Sequence, residues 1–446
     1  MKHAKIAVAV LLGSLLTTAP AFAAFEGLSM MRMGAWEVDF SGNVNAFVMD
    51  IQCDPDTNGS AVAAGLACGS DGVESDGHSI NTGLLPSWFN FSAATVTDEG
   101  IRTSVHLSFQ PGVDTSNSVN GNDSALGNNT ANFRQVFLTF GNENMGTFKI
   151  GRDLGVFGSD AILNDMTLLG VGTVSDLVEN SGGGNTTLGR IGVGYLYADW
   201  KSQLQYTSPN INGFTFTAAL TDTWSATGLA TDNHSATGRQ AGDNFGFEAK
   251  VNYAFDNGAG TSGLLWASYI QQDVDFSDTA PSNAPTGGDL MVGGTTFAAD
   301  DGGDARGYDV GFKVAVHDFD LVGYYYDGEG IGTTGFLWDA FDRLSDERDS
   351  DGYYVQARYR LPMGTLLGAS IGESNLDETD YDEALRVATP ANGTLVETNE
   401  SWIVGLYHPV GEALSLVIEY TETESEAHNG NEADEESLAI GAIMFF

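Results

Sequence analysis

Residues 244–255 read NFGFEAKVNYAF. Phe245, Phe247, Ala249, Val251, Tyr253 and Phe255 share one parity; Gly246, Glu248, Lys250 and Asn252 share the other. In an extended chain successive side chains point to opposite faces, so this run is a strand with one apolar and one polar face. It ends on Asp256-Asn257-Gly258, a turn triplet. The same alternation returns in 352–361, where Tyr353, Val355, Ala357, Tyr359 and Leu361 oppose Tyr354, Gln356, Arg358 and Arg360. It returns again in 413–421, where Leu414, Leu416, Ile418 and Tyr420 oppose Ala413, Ser415, Val417, Glu419 and Thr421.

Working outward, sixteen such runs cover the chain: 34–50, 84–97, 100–110, 132–141, 145–152, 191–207, 213–222, 243–256, 262–273, 306–317, 319–327, 352–361, 364–374, 400–408, 412–422 and 436–446. Short turns alternate with long connections near 51–83, 111–131, 153–190, 223–242, 274–305, 328–351, 375–399 and 423–435. An even number of strands joined by alternating short turns and long loops is the pattern of an all-β transmembrane antiparallel barrel with its termini on the short-turn side. Glycine at 57 residues and aromatics at 11% fit tight turns and aromatic girdles.

The ends agree. Lys2, His3 and Lys5 precede an apolar run from Ile6 to Leu16, followed by Ala21-Phe22-Ala23. This is the layout of a signal peptide over residues 1–23, leaving 24–446 as a single barrel domain. Past Ala23 no apolar stretch is long enough for a spanning helix, so an exported chain is either soluble or a barrel. The chain carries 60 acidic against 18 basic residues, net charge −42, and the acids crowd the long connections. That balance disfavours a nucleic-acid partner and attracts cations. Basic residues on the polar faces, Arg102, Lys250, Lys313, Arg358 and Arg360, are expected to face the lumen, since a cation at mid-membrane facing lipid costs roughly 2–4 kcal/mol. Cys53 and Cys68 are expected to form one loop disulfide, with a metal site as the alternative. No cofactor is implied. The last strand places Leu438, Ile440, Ala442, Met444 and Phe446 on one face. A carboxy-terminal strand closing on an aromatic residue resembles the signal read by the barrel-assembly machinery.

The order of motifs between 131 and 220 resembles the general, trimeric Gram-negative porins. Residues 132–141, NFRQVFLTFG, resemble their R-x-A-F-x-G-L strand. Residues 145–152, MGTFKIGR, resemble their F-G-[ST]-[FV]-x-[LYI]-G-R strand, and run on through Leu154-Gly155-Val156-Phe157 to Asn164-Asp165-Met166. Gly189-Arg190, Tyr206-Thr207-Ser208-Pro209 and Gly213-Phe214 resemble the return strands. The resemblance implies a 16-stranded homotrimer in the outer membrane that passes small hydrophilic solutes. It also implies a third loop folded into the pore, with loop acids facing a basic wall. By motif position, Asp165 matches a constriction acid, and Arg134 and Arg190 match wall arginines. Asp153 and Asp160 are further candidates for the loop, and Arg102, Lys313, Arg358 and Arg360 for the wall. Where the family often has a second acid, this chain has Thr167, Leu168, Leu169 and Gly170, an apolar segment that could narrow or dry the eyelet. Loop acidity leads to an expected weak cation preference, and to loose divalent bridging to lipopolysaccharide phosphates.

Three other readings compete. A substrate-specific channel would use Trp338 or the Tyr324-Tyr325-Tyr326 run as a sugar slide. A barrel hydrolase would need a nucleophile and base held together, but His78, His106, His234, His317, His408 and His428 are scattered and no G-x-S-x-G accompanies them. A soluble calcium binder would use Asp54–Gly59 or Asp301–Asp304, neither of which continues to the distant Glu of an EF-hand loop.

Overall fold

The alternating runs fold as strands, and each strand pairs with its neighbours in the chain to close a 16-stranded antiparallel barrel. The computed structural model describes residues 31–33, 35–55, 61–68, 74–113, 131–174, 186–226, 244–275, 290–297 and 302–446; the expected signal peptide lies outside them. The strands are β1 (Trp36–Pro55), β2 (Ser75–Asn81 continued by Trp88–Val96), β3 (Arg102–Pro111), β4 (Ala131–Asn142) and β5 (Gly146–Leu154). Then come β6 (Trp200–Thr207), β7 (Phe214–Thr221), β8 (Gly246–Asp256), β9 (Thr261–Asp275), β10 (Gly302–Val316) and β11 (Phe319–Glu329). The last five are β12 (Asp349–Arg360), β13 (Leu366–Leu376), β14 (Val396–Val410), β15 (Leu414–Ala427) and β16 (Glu432–Phe445). Two helices, α1 (Ser159–Asn164) and α2 (Asp380–Ala388), lie in the connections after β5 and β13.

β1 and β16 close the ring, in register from Asn43↔Phe445 to Pro55↔Ala433. Closure matters because an unpaired edge in lipid would strand backbone N–H and C=O groups. At its foot Gly42 N–H donates to Phe446 O (2.9 Å) and Phe446 N–H to Gly42 O (3.0 Å). The Phe446 ring lies 5.6 Å from both Phe40 and Phe89, so the last residue is fastened to both the backbone and the outer aromatic surface.

Alternation maps onto inside and outside. On β12, Val355 is 43% exposed toward the outer face while Gln356, its neighbour, is fully buried in the interior. Leu416 and Ile418 are exposed while Val417 and Glu419 are buried. The outer face is therefore apolar, as a lipid solvent requires, and the polar strand side chains face inward among apolar ones such as Phe47, Trp266 and Val417.

Beyond shifts of up to five residues at strand ends, three parts of the chain differ from the sequence reading. β2 has a first segment, Ser75–Asn81, inside the connection expected over 51–83, and after a break its second segment begins at Trp88 instead of residue 84. Residues 191–199 are loop, and the strand expected from 191 begins at Trp200. The connection expected over 423–435 is a tight hairpin, because β15 and β16 pair as far as Glu426↔Glu432. There Glu422, Glu424 and Glu426 point outward while Thr423, Ser425 and Ala427 point inward, so an acidic stretch still alternates as a strand.

Cys53, at the long-loop end of β1, is joined to Cys68 with a Cα–Cα distance of 5.1 Å. Beside the bridge, residues 61–68 turn into the barrel mouth. Leu66 N–H donates to Asn399 Oδ1 (3.0 Å) and Ser425 Oγ (2.9 Å), and Cys68 N–H to Glu435 Oε2 (3.2 Å). Closing a loop across a sequence separation of 15 is worth about 3 kcal/mol in the chain-entropy picture. Cys53→Ser/Cys68→Ser is expected to lower the unfolding temperature and to free residues 61–68 for proteolysis, read by peptide mapping of the folded barrel.

Candidate functional site, the barrel lumen

Loop 3, the connection from β5 to β6, leaves the wall after Leu154 and turns inward, with Gly158 capping α1 at a φ of +69°. Wall side chains then hold its backbone. Glu248 on β8 accepts from the N–H groups of Val156 (2.5 Å) and Phe157 (2.8 Å). Asp309 on β10 accepts from Gly158 N–H at 3.0 Å. On β12 the Tyr354 hydroxyl donates to Ala161 O (2.9 Å), and Gln356 accepts from Met166 N–H (2.6 Å) while donating to Asn164 O (3.0 Å).

Beyond the 3-10 turn Met166–Leu169 the tip reaches the far wall. Glu419 on β15 accepts from Val171 N–H (2.6 Å), Gly172 N–H (2.9 Å) and the Tyr407 hydroxyl (2.5 Å). Leu84, within the break in β2, donates its N–H to Gly170 O at 3.0 Å. Two glycines allow the contact: a Cβ on Gly83 would lie 1.9 Å from Gly170 O, and one on Gly170 would lie 2.0 Å from Glu419 Oε1. Loop 3 is thus a strap from β5 past β8, β10 and β12 to β15 and β2. A buried carboxylate is tolerated only with several strong donors, and Glu248 and Glu419 each have them.

The charged residues singled out from sequence divide into three groups. Asp160, Asp165 and Lys313 belong to the strap. Asp160 pairs with Lys250 Nζ at 2.8 Å and accepts from Asn252 Nδ2 at 2.9 Å. Asp165 accepts from Thr167 N–H (2.9 Å) and the Tyr195 hydroxyl (3.0 Å). Lys313 donates to Asn164 Oδ1 at 3.1 Å, tying β10 to α1.

Asp153 and Arg190 change places relative to expectation. Asp153 is on the wall, because β5 runs to Leu154; it pairs with Lys149 and accepts from Gln135 Nε2 at 2.6 Å. Arg190 is in the return arm of loop 3, because residues 191–199 fold inside the lumen and not as strand; it donates to Ser370 Oγ (2.5 Å), Val193 O (3.1 Å) and Ser401 Oγ (3.2 Å).

The remaining bases are on the wall or at its foot. Arg134 is buried beside the β3–β4 register shift, its N–H on Gln110 Oε1 at 3.0 Å. Arg358 pairs with Asp320 at 2.8 Å. Arg360 is half-buried at the short-turn end, and Arg102 is exposed there, 3.8 Å from Glu37. Local pairs, and not free acids facing free bases, are what the described lumen contains at Asp153, Asp160 and Arg358.

Sequence reasoning missed the groups that carry the strap: Glu248, Asp309, Glu419 and Gln356. Their signal was present. Each is a polar side chain on the inward parity of its strand. Such a residue cannot be an accident of solvation and must have an internal partner.

Loop 6 (330–348) also folds inward. Ile331, Phe336, Leu337, Ala340 and Phe341 pack with Phe157 and Ile162 of loop 3 and with Trp266, Tyr324 and Tyr326 of the wall. Tyr197 N–H donates to Thr334 O at 3.0 Å, joining the two loops. Tyr324 and Tyr326 are therefore core residues, and Tyr325, of opposite parity, is exposed on the outer face. No sugar slide is formed by that run.

On the long-loop side, Arg348 grips Asp382 of α2 through two bonds (2.8 and 3.1 Å). Asp342, beside this pair, accepts from Leu344 N–H (2.7 Å), Asp346 N–H (3.0 Å) and the Thr379 hydroxyl (2.7 Å). Burial pushes its carboxyl up to about 6, against the pull of Thr379 and Arg348. An acid whose folded value is raised binds its proton more readily folded than unfolded. Its contribution therefore improves as pH falls through about 6 toward the ordinary aspartate range, and is lost as pH rises. Between pH 7 and 5, amide exchange in 338–348, corrected for its intrinsic rate, is expected to slow. Asp342→Asn should remove that dependence; a wild-type loop indifferent to pH would contradict it.

Comparison with known proteins gives a family and a fold. The family described as Gram-negative porin matches residues 7–379. Among solved structures, the outer membrane channel DcaP of Acinetobacter baumannii is similar at 15% identity, covering 94% of this chain and 100% of its own, with a TM-score of 0.62. An anion-selective porin from Comamonas acidovorans is similar at 13% identity, covering 92% and 100%, with a TM-score of 0.53. OmpF of Salmonella typhi, in complex with daunomycin, is similar at 12% identity, covering 92% and 98%, with a TM-score of 0.51. No curated protein matches.

Proposed function

This chain belongs to the Gram-negative porin family and is an outer-membrane β-barrel channel, and on that premise we propose that it passes small hydrophilic solutes and ions by passive diffusion, with weak cation preference. The observation that carries the reading is a barrel whose polar strand side chains face inward, narrowed by a strap across the lumen. Such an interior serves a channel.

The cation preference rests on the acidic mouth of a chain of net charge −42, since Asp153, Asp160 and Asp165 are buried and partnered. The anion selectivity of the Comamonas porin belongs to that protein. The family resemblance supports a homotrimer, export by a signal peptide over residues 1–23, and recognition of Phe446 by the barrel-assembly machinery. Outward acids such as Glu424 and Asp434, opposite one another in register, support a cation-bridged contact with lipopolysaccharide.

Planar-bilayer recording under a potassium chloride gradient tests the reading. Discrete steps, grouped in threes, with a reversal potential of cation sign are expected. Asp165→Asn should move that potential little, because Asp165 is not exposed to the lumen. Folded barrels that never conduct would overturn the diffusion reading, and an anion-sign potential would overturn the cation preference.

A further inference from the structure

One apolar layer lies inside the barrel between β2, β6 and β16, against the tip of loop 3. Leu168 and Leu169, at the tip, pack with Leu85 and Trp88 of the β2 side, Trp200 of β6 and Ile443 of β16. The Trp88 and Trp200 rings lie 5.6 Å apart, although β3, β4 and β5 stand between their strands along the wall. The contact therefore reaches across the interior. Trp88 is 2% exposed and Trp200 7%, so the layer is packed and not a loose ring.

Its polar atoms are turned aside. Trp88 Nε1 donates to Asn90 Oδ1, and Trp200 Nε1 donates to the Tyr197 hydroxyl at 2.8 Å. The acids nearest along the chain are occupied, Asp165 by Thr167 N–H and the Tyr195 hydroxyl and Asp199 by Trp200 N–H at 2.6 Å. Leu85, Leu168, Leu169 and Ile443 offer no group that can replace the hydration of an ion. Narrow apolar constrictions hold back ions by dewetting, whereas an apolar solute body gives up little on entering one.

We propose that this layer is the selectivity barrier of the channel, holding back hydrated ions and favouring small solutes that join an apolar body to a polar end. The inference rests on the channel reading above and narrows it from solutes in general to an amphipathic class.

Two readouts on purified protein in lipid test it: potassium chloride conductance, and liposome uptake of phenylalanine against serine, zwitterions of equal net charge. Wild type should conduct in small steps and take up phenylalanine faster than the smaller serine. Leu168→Ser/Leu169→Ser should raise conductance by about threefold or more and reverse the uptake order. Leu85→Ser, from the opposite side of the layer, should act in the same direction if the double variant fails to fold. Equal conductance in wild type and variants overturns the barrier and leaves the channel reading intact. So does serine outrunning phenylalanine in wild type, which would make the layer a steric plug. If wild type and variants fold but pass neither ions nor amino acids, the channel reading falls and the barrier with it.

Discussion

Glu419→Ala releases the tip of loop 3 and raises conductance. The Glu419 carboxylate is fully enclosed and receives three donors: Val171 N–H, Gly172 N–H and the Tyr407 hydroxyl. Truncation strands all three, and each buried donor left unpaired costs about 1–3 kcal/mol. Tyr407 stays on its strand, but the two backbone groups belong to a loop that can reach water. The least costly response is for the tip to leave the wall, and the layer carrying Leu168 and Leu169 opens with it. Single-channel recordings are expected to show larger, noisier steps, and amides 170–174 to exchange faster. Glu419→Gln keeps an acceptor in place and should fall between. Unchanged conductance and exchange in the alanine variant would mean that the tip is held by something other than this carboxylate.

The second large effect is on stability. Lys201 is buried with its Nζ 2.5 Å from Glu248 Oε1, 4.7 Å from the Phe336 ring centroid and 5.8 Å from that of Trp224. One ammonium thus joins β6, β8, loop 6 and the segment after β7, while Glu248 holds the start of loop 3. Breaking a buried pair by removing one partner costs about 3–5 kcal/mol, because the other charge is left unpaired. Lys201→Met should lower the urea midpoint of barrel unfolding accordingly and loosen loops 3 and 6 together. Lys201→Met/Glu248→Gln should regain part of the loss, since no stranded charge remains. A single variant as stable as wild type, or a double variant no better than the single, would contradict this assignment.

The barrel was legible because lipid outside and polar groups inside impose period two on every strand, and the turns are marked by residues such as Asp256-Asn257-Gly258. What the alternation could not show is where the lumen is filled. Residues 191–199 carry Ile191, Val193, Tyr195 and Tyr197 at strand spacing, yet they lie inside the barrel, mostly enclosed on every side. Gly192 and Gly194, at φ of +77° and +145°, break the extended path. The gap in β2 is likewise set from a distance: Gly83 and Leu84 leave the ladder to receive Gly170 of loop 3. Motif position brought out Asp165 and Arg190 but not their surroundings, since Tyr195 comes back to Asp165 only through the return arm. The strap-holding acids were readable in principle from parity, as Glu248 and Glu419 sit inward on apolar strands. Their attention to loop backbone was not, because backbone N–H groups leave no mark in a sequence.

Cryo-electron microscopy of the protein in lipid nanodiscs tests the central claim most directly. The prediction is continuous density for loop 3 from Leu154 across the lumen to Gly170, in contact with Glu419 and Leu84. A lumen open along its length, with loop 3 lying outside the barrel mouth, would contradict it.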